Sequence, residues 1–148
     1  MFTSQFKVEK TWIDHNDHMN VSYYQYAFQE ALNQYWKHIL NQEDNSRADL
    51  ALSPKNVHIR YLSEALLDQT IDVNSFIYKL NHEELSVFQE MKRDDTVICI
   101  FSQDVNFCSG DDALIRQCDD VTYNILSKIV EKTDIVLPKW IDHSIEIS

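Results

Sequence analysis

Residues 12–24 read W-I-D-H-N-D-H-M-N-V-S-Y-Y, a dense run of charged and amide side chains that ends where a helical pattern begins. The first backbone N–H groups of a helix have no partner inside the helix and carry a partial positive charge. Such groups can stabilise an oxyanion, and a carboxylate beside them can attack a carbonyl carbon or activate water. Asp14 is therefore a candidate catalytic residue, and the chemistry that needs both parts is acyl transfer.

A long amphipathic helix follows this run, from Asn20 to about Leu40. Its apolar residues recur at intervals of three and four, which indicates a helix with a wide apolar stripe. Asn20 or Ser22 can cap the first turn, and Ser22 with Gln25 fits a capping box. The stripe consists of Tyr24, Ala27, Phe28, Ala31, Leu32, Tyr35, Trp36 and Ile39.

Strands are predicted on both sides of the helix, because apolar and polar residues alternate there. Phe6–Trp12 is a short strand ahead of it, and Asn41–Ser53 is a polar loop behind it. The links near 81–84 and 92–95 are short and polar, which favours antiparallel hairpins. Four strands follow the loop, around Val57–Tyr61, Ile71–Ile77, Leu85–Phe88 and Thr96–Phe107.

A second helix is predicted from about Asp111, with Asp111 and Asp112 at its positive end and Lys128 and Lys132 at its negative end. Its buried side is marked by Leu114, Cys118, Val121, Ile125 and Ile129. A long apolar helix needs a sheet to cover it, so the order of elements predicts one α+β domain over residues 1–148, with a curved antiparallel sheet around the first helix. Open sheet edges would pair with a second copy, which predicts a homodimer.

The composition restricts the partners. The formal net charge is −11, and a surface this acidic repels nucleic acid and anionic membranes. Cys99, Cys108 and Cys118 are odd in number, lack metal-site spacing and lie in apolar patterns, so buried, reduced thiols are expected. The first ten residues show no signal-peptide pattern, and no apolar run approaches the roughly 18 residues of a membrane span. A cytoplasmic protein is expected.

Residues 14–24 resemble the motif of the hotdog acyl-CoA thioesterases of the 4-hydroxybenzoyl-CoA thioesterase type. That motif is a strand followed by D-x-x-G-H-V-N-x-x-x-Y at the entry to the central helix. Asp14, His18, Asn20 and Tyr24 match its Asp, His, Asn and Tyr, and Met19 stands at its Val. The forms W-I-D and H-M-N are closest to a branch that includes betainyl-CoA thioesterases. V-H-I-R-Y-L-S-E-A, at residues 57–65, resembles the family's next strand.

The resemblance implies a hotdog fold and the hydrolysis of a small acyl-CoA to a free acid and CoA, with no separate cofactor. Asp14 would be the nucleophile or the general base, and the backbone N–H near Val21 would polarise the thioester carbonyl. Asn16, His18 and Asn20 would orient the substrate, the water or the loop. Family active sites lie at a dimer interface, and hotdog dimers often pair further into tetramers.

Three further residues are candidates for substrate binding. Tyr24 belongs to the apolar stripe and either packs in the core or lines the acyl pocket. Glu64 ends a strand and either contacts substrate or is solvated. Arg60 either meets the CoA phosphates, as Lys79, Lys92 and Arg93 also would, or is a surface charge. A trimethylammonium acyl group would need an aromatic cage, for which the sequence offers Tyr23, Tyr24, Tyr35 and Trp36.

The sequence departs from the family motif at two turns. Asp17 stands where the family usually has Gly, and Asp tolerates a left-handed backbone only moderately. It also brings a second negative charge near Asp14, which would raise the pKa of Asp14 if both were buried. Leu67 stands where a Gly often precedes an Asp.

Other readings remain open. His15 and His18 have metal-like spacing but no third ligand nearby, so no metal is expected. Asp14 has a plain alternative as a helix-capping carboxylate. A non-catalytic hotdog protein that binds acyl-CoA is the main alternative function, kept open by Asp17. A hotdog hydratase or dehydratase is less favoured, because the motif of those enzymes is missing.

Overall fold

The computed structural model describes residues 1–42 and 49–142. The order of elements confirms the predicted series of a strand, a long helix, four strands and a helix, and adds a 3-10 turn and a short terminal helix. The elements are β1 (Phe2–Lys7), a 3-10 turn (Lys10–Trp12), α1 (Val21–Leu40), β2 (Leu50–Tyr61), β3 (Thr70–Leu80), β4 (Glu84–Arg93), β5 (Thr96–Ser109), α2 (Asp120–Lys132) and α3 (Lys139–Asp142).

The five strands form one antiparallel sheet in the order β1-β3-β4-β5-β2. The ladder between β2 and β5 runs from Leu50 opposite Ser109 to Tyr61 opposite Cys99. Its register shifts just after Pro54, where proline has no N–H to donate to a ladder. Within the described residues β1 and β2 are the edge strands, so β2 offers one side of a twelve-residue strand without a partner.

The helix α1 packs against the sheet through its apolar stripe, as predicted. Ala27 and Ala31 are fully buried, and small side chains let the helix approach the strands closely. Phe28 stacks on Phe101 of β5 with ring centroids 5.0 Å apart. Gln89 of β4 donates its side-chain amide to the carbonyl oxygen of Phe28 at 2.9 Å. Burial of a side chain such as Phe28 contributes about 1.5–3 kcal/mol, so these contacts hold α1 against the sheet.

Two predicted segments in the N-terminal half of the chain differ from the structure. The first strand ends at Lys7, and Lys10–Trp12 form the 3-10 turn, in which Trp12 is buried and stacks on Tyr23 at 5.6 Å. The predicted Asn41–Ser53 loop extends too far, because β2 already begins at Leu50. Leu50 is buried and pairs with Ser109. Residues 43–48 of that loop lie outside the described residues.

The predicted start of the second helix is wrong. α2 begins at Asp120, because Asp119 is the N-cap and its carboxylate accepts the N–H of Thr122 at 3.0 Å. Residues 110–119 are irregular. Ala113 has a φ of 59°, which is incompatible with a right-handed α-helix. The predicted buried side holds for Cys118, Ile125 and, in part, Ile129, whereas Leu114 and Val121 are exposed.

Of the two residues predicted to cap α1, one caps the helix and the other lies inside it. Asn20 is the N-cap, and its side-chain oxygen accepts the N–H of Ser22 at 3.0 Å. The capping box of Ser22 with Gln25 is wrong, because a box needs its serine at the cap position and Ser22 lies inside the helix.

The three cysteines are free and buried, as predicted. Burial raises the pKa of Cys99 to about 12, so its thiol stays protonated at neutral pH. None of the helices in the described ranges is both long enough and apolar enough to span a membrane.

Candidate active site

A tight hairpin of backbone carries the polar run and sets its geometry. Asp14 donates its N–H to the carbonyl of His18 at 2.9 Å, and Asn20 donates to the carbonyl of Trp12 at 2.8 Å. The chain reverses at Asp17, which has a φ of 59°. Asp is one of the residues that adopt a left-handed backbone at tolerable cost. Asp17 therefore forms the left-handed turn at the position where the motif that this segment resembles has Gly.

The carboxylate of Asp14 is held by amides of its own turn. One oxygen accepts the N–H of Asn16 at 2.9 Å and the N–H of His18 at 3.2 Å. The bond from Asn16 is the main cause that lowers the pKa of Asp14, against a smaller opposing effect of burial, with help from the His18 amide and the charges of His15 and His18. A rise in the pKa of Asp14 from Asp17 would require both carboxylates to be buried, and Asp17 is exposed. Asp14 is therefore ionised at neutral pH.

The first turn of α1 presents a free backbone donor beside this hairpin. Ser22 gives its N–H to the Asn20 side chain, and Tyr23 gives its N–H to the Asn20 carbonyl at 2.9 Å. Over residues 1–42 and 49–142 the N–H of Val21 has no acceptor, and its side chain is exposed. The positive end of a twenty-residue helix thus offers one donor to an incoming oxygen atom.

A second segment, the turn after β2, is hydrogen-bonded to the hairpin. Met19 donates to the carbonyl of Ala65 at 2.8 Å, and Leu67 donates to the carbonyl of Asp17 at 3.1 Å. Leu67 stands where a glycine is often found, and its backbone N–H closes the turn through this bond. These bonds bring residues some fifty positions apart in the chain to the same place, which no local pattern predicts.

The turn after β2 is also anchored from the sheet and from α1. Ala65 donates its N–H to the hydroxyl oxygen of Tyr24 at 2.9 Å, and a guanidinium nitrogen of Arg93 donates to the carbonyl of Glu64. Burial is the main cause that raises the pKa of Tyr24, so its phenol stays neutral. Tyr24 is only 3% exposed, and its ring packs edge-on against Tyr61 with centroids 5.4 Å apart. Its contacts with the described residues are therefore those of a packing and anchoring residue.

Glu64 and His18 meet across the two segments. The Nδ1 atom of His18 lies 2.6 Å from a carboxylate oxygen of Glu64. Nδ1 is thus the ring nitrogen that faces the carboxylate, which accepts hydrogen bonds when ionised. His18 is the one predicted residue that touches both Asp14, through its backbone, and Glu64, through its ring.

The predicted site residues therefore divide into two groups. Asp14, Asn16, His18, Asn20 and Val21 lie together in the hairpin and the first turn of α1, and Glu64 joins them. Arg60 does not: its neighbours Ile59 and Tyr61 face the core and α1, so strand alternation turns Arg60 to the opposite face of the sheet.

The four rings considered for an aromatic cage are not brought together. Tyr35 stacks on Phe2 at 4.9 Å, and Trp36 packs near Phe107 and donates its indole N–H to the Leu50 carbonyl. A different group of rings lies beside the hairpin, consisting of Trp12, Tyr23 and Tyr26 with centroids 5.6–6.0 Å apart. The 3-10 turn, which sequence periodicity missed, brings Trp12 to these tyrosines.

Metal ligation finds no support in this geometry. Among the residues described, no three His, Cys, Asp or Glu side chains converge on one point. The Nε2 atom of His15 lies 3.4 Å from the side-chain amide of Asn16, and His18 is turned to Glu64.

The fold and this hairpin define a hotdog domain, in which an antiparallel sheet covers one long helix that starts at a polar loop. Residues 8–131 match the family model described as the thioesterase-like superfamily. The chain belongs to that superfamily.

Solved structures support the same fold. A hypothetical protein from Staphylococcus aureus, in complex with CoA, superposes with a TM-score of 0.82 at 22% identity, covering 99% of this chain and 95% of that chain. The probable thioesterase YbaW of Escherichia coli gives 0.70 at 18% identity, with 88% and 99% covered. The gentisyl-coenzyme A thioesterase BH1999 gives 0.73 at 9% identity, with 84% and 98% covered. A search of curated protein sequences found no match.

Proposed function

We propose that the protein is an acyl-CoA thioesterase that hydrolyses a small acyl-CoA to a free acid and CoA. One observation carries the proposal: the ionised carboxylate of Asp14 lies in a hairpin that leads directly into the free N–H of Val21 at the start of α1. A thioester hydrolase needs a nucleophile or base and a donor for the carbonyl oxygen. The superfamily of the chain and the CoA bound to its structural neighbour agree with this chemistry.

The reaction can use Asp14 in two ways. As a nucleophile, the carboxylate attacks the thioester carbon, the C–S bond breaks, CoA leaves as a thiolate, and water then cleaves the mixed anhydride. As a general base, the carboxylate takes a proton from water, whose oxygen attacks the thioester carbon directly; the C–S bond then breaks, and the CoA thiolate leaves and takes up the proton held by Asp14. Both routes place negative charge on the carbonyl oxygen, which the N–H of Val21 stabilises. Neither route needs a metal or an organic cofactor, since CoA is part of the substrate.

The active form is proposed to be a homodimer that can pair into a tetramer. The supporting feature is the free edge of β2, where Val57 and Tyr61 are 48% and 44% exposed, followed by Leu62 at 52%. Apolar side chains on an open edge favour pairing with a second copy. The edge runs into the turn that holds Glu64, so a partner there closes the open side of the site.

Binding of the CoA phosphates requires a local cation, because the chain as a whole carries a net charge of −11. We assign this role to Arg60, which is exposed on β2. Since Arg60 faces away from α1, this role places the phosphates on the face of the sheet opposite the hairpin. An Arg60→Ala variant is then expected to raise KM severalfold and leave kcat unchanged, in contrast to Lys10→Ala, which removes an exposed charge elsewhere.

The membership of the 4-hydroxybenzoyl-CoA thioesterase type, and of the betainyl-CoA branch within it, is part of the proposal. It rests on the match of Asp14, His18, Asn20 and Tyr24 to the motif. The cluster of Trp12, Tyr23 and Tyr26 offers ring faces and edges beside the hairpin. A substrate panel therefore includes aryl, short-chain and trimethylammonium acyl-CoA thioesters.

The test is release of free CoA thiol from this panel by the wild type and by two matched variants. Asp14→Asn removes the proposed nucleophile or base, and we expect turnover to fall roughly a hundredfold or more. Asp17→Asn removes a carboxylate three residues away and keeps the left-handed turn, which Asn adopts readily, so turnover should be near that of the wild type. Equal activity of Asp14→Asn and the wild type would move the chemistry elsewhere. Tight binding of CoA without turnover of any thioester would favour the acyl-CoA-binding alternative.

A further inference from the structure

The contact between His18 and Glu64 is short for two side chains that are both open to solvent. Their atoms are 2.6 Å apart, while the side chains are 39% and 65% exposed. An ion pair at such exposure contributes little to stability, because water screens it and two side chains lose freedom. We therefore relate the contact to the orientation of the imidazole ring rather than to the stability of the fold.

The two backbone segments do not need this pair to stay together. Met19 bonds to the Ala65 carbonyl, Leu67 bonds to the Asp17 carbonyl, and Tyr24 receives the Ala65 N–H. Arg93 holds the carbonyl of Glu64 itself, so the backbone that carries the Glu64 side chain is fixed from the sheet. A carboxylate on a fixed backbone is a suitable partner to orient a histidine ring.

An imidazole with its Nδ1 proton given to a carboxylate has its lone pair on Nε2 when neutral. Within the described part of the chain, the Nε2 atom of His18 has no hydrogen-bond partner. Among the described residues, the charged group in contact with the ring is Glu64. Asp14 contacts the His18 backbone N–H, and Arg93 contacts the Glu64 carbonyl.

We propose that Glu64 is a positioning residue, which holds the His18 ring with its proton on Nδ1 and so leaves Nε2 as the hydrogen-bond acceptor for the hydrolytic water. The inference rests on the proposed function and names a role for Glu64 within it. A carboxylate that orients a histidine through Nδ1 is a known way to fix tautomer and ring direction. Water bound at Nε2 keeps its oxygen lone pairs free for the acyl carbon, whichever route Asp14 follows.

This role differs from the direct substrate contact that the sequence predicts for Glu64. A residue that binds substrate equally in the ground state and the transition state changes KM, whereas one that orients the water changes kcat. The two roles are therefore separable by kinetics on the same variant.

The experiment compares Glu64→Gln and Glu64→Asp with the wild type in the full-length protein. Imidazole ¹⁵N NMR, with His18 assigned from a His18→Gln variant, reports which ring nitrogen carries the proton. We expect the Nδ1–H form in the wild type and a mixture with the Nε2–H form in Glu64→Gln. We expect kcat to fall about tenfold in Glu64→Gln with KM within twofold, and a smaller loss in Glu64→Asp, which keeps the charge on a shorter side chain.

Asp68→Asn is the matched control. Asp68 is an exposed carboxylate in the same turn and lies 3.8 Å from Lys7 rather than near His18. It has a φ of 69°, which Asn accepts. This variant should keep the kcat and the His18 spectrum of the wild type.

Three outcomes would overturn the inference. The first is a rise in KM with unchanged kcat in Glu64→Gln, which assigns Glu64 to the substrate. The second is a His18 spectrum that does not change in Glu64→Gln while the wild type turns over thioesters, which leaves the proposed function intact. The third is a wild type without turnover on any thioester, which rejects the function and this role together.

Discussion

The carboxylate of Asp14 accepts the backbone N–H of His18 at 3.2 Å, so the two polar residues of the hairpin are held in a fixed relation before any substrate arrives. The same carboxylate also accepts the N–H of Asn16. Preorganised donors and acceptors of this kind cost no reorganisation at the moment of reaction. The turn therefore does for Asp14 what a loose surface loop would not: it fixes the carboxylate in its ionised form beside the start of α1.

The protonation of Asp14 gives the first prediction. Hydrogen bonds to the ionised form lower the pKa of Asp14 below its ordinary value of 3.8, so Asp14 should remain ionised at pH 5 and titrate below pH 3.8. A carboxyl ¹³C titration by NMR, with the resonance identified by its loss in Asp14→Asn, measures this directly. A midpoint above pH 5 would contradict the hydrogen bonding described here.

The same shift has a consequence for stability. Because the folded-state pKa is lower than the unfolded one, ionised Asp14 stabilises the fold above the unfolded pKa, and this stabilisation is lost as pH falls through the folded pKa. Asp14→Asn should therefore be less stable than the wild type at pH 7, and the difference should shrink towards pH 3. Urea unfolding at both pH values tests the sign. A difference that grows on acidification would be incompatible with it.

Capping of α1 gives a prediction for Asn20. Its side chain satisfies the N–H of Ser22 at 3.0 Å, and replacement of such a cap by Ala costs about 1 kcal/mol. We expect Asn20→Ala to lower the free energy of unfolding by about that amount, measured by urea denaturation, and to reduce turnover because the first turn of α1 frays. Asn20→Ser, which keeps a capping oxygen, should stay close to the wild type. Equal stability of the Ala and Ser variants would mean that the cap contributes nothing.

The contact of α1 with the sheet gives a prediction for Phe28. Phe28 is fully buried and stacks on Phe101, and truncation of a buried Phe to Ala typically costs about 3–5 kcal/mol through lost burial and the cavity left behind. Thermal and urea unfolding of Phe28→Ala should show a loss of this size. Val136→Ala, at a side chain that is 96% exposed, should change stability by less than about 0.5 kcal/mol.

A buried polar chain beneath α1 gives a prediction for Gln89. Gln89 is fully buried, donates to the Phe28 carbonyl and to Ser75, and accepts from Gln103 at 2.9 Å. Gln89→Leu removes these three bonds, including the one that the Gln103 side-chain amide donates, and a buried unsatisfied polar group costs about 1–3 kcal/mol. We expect at least about 2 kcal/mol of destabilisation by urea unfolding. Gln5→Leu, which removes an exposed bond to Asp72, should cost far less.

The order of the elements, and the positions of the polar residues between them, follow from local patterns in the sequence. Local periodicity is enough for this, because the apolar stripe from Tyr24 to Ile39 and the alternation in the strands each depend on neighbours a few positions apart. The same local rule predicted Asn20 or Ser22 as the cap, and the structure has Asn20 there. It failed at Lys10–Trp12 and at the start of α2, where Asp119 caps the helix after an irregular segment whose turn no apolar repeat marks.

Contacts between residues far apart in the chain follow from the folded structure and not from any local pattern. The turn after β2 reaches the hairpin because the register of β2 on β5 and the anchors from Tyr24 and Arg93 fix its position. Long-range hydrogen bonds of this kind leave no periodic signal in the sequence. The sequence predicts Glu64 as a strand-end residue that either contacts substrate or is solvated, and only the folded chain places it 2.6 Å from the ring of His18.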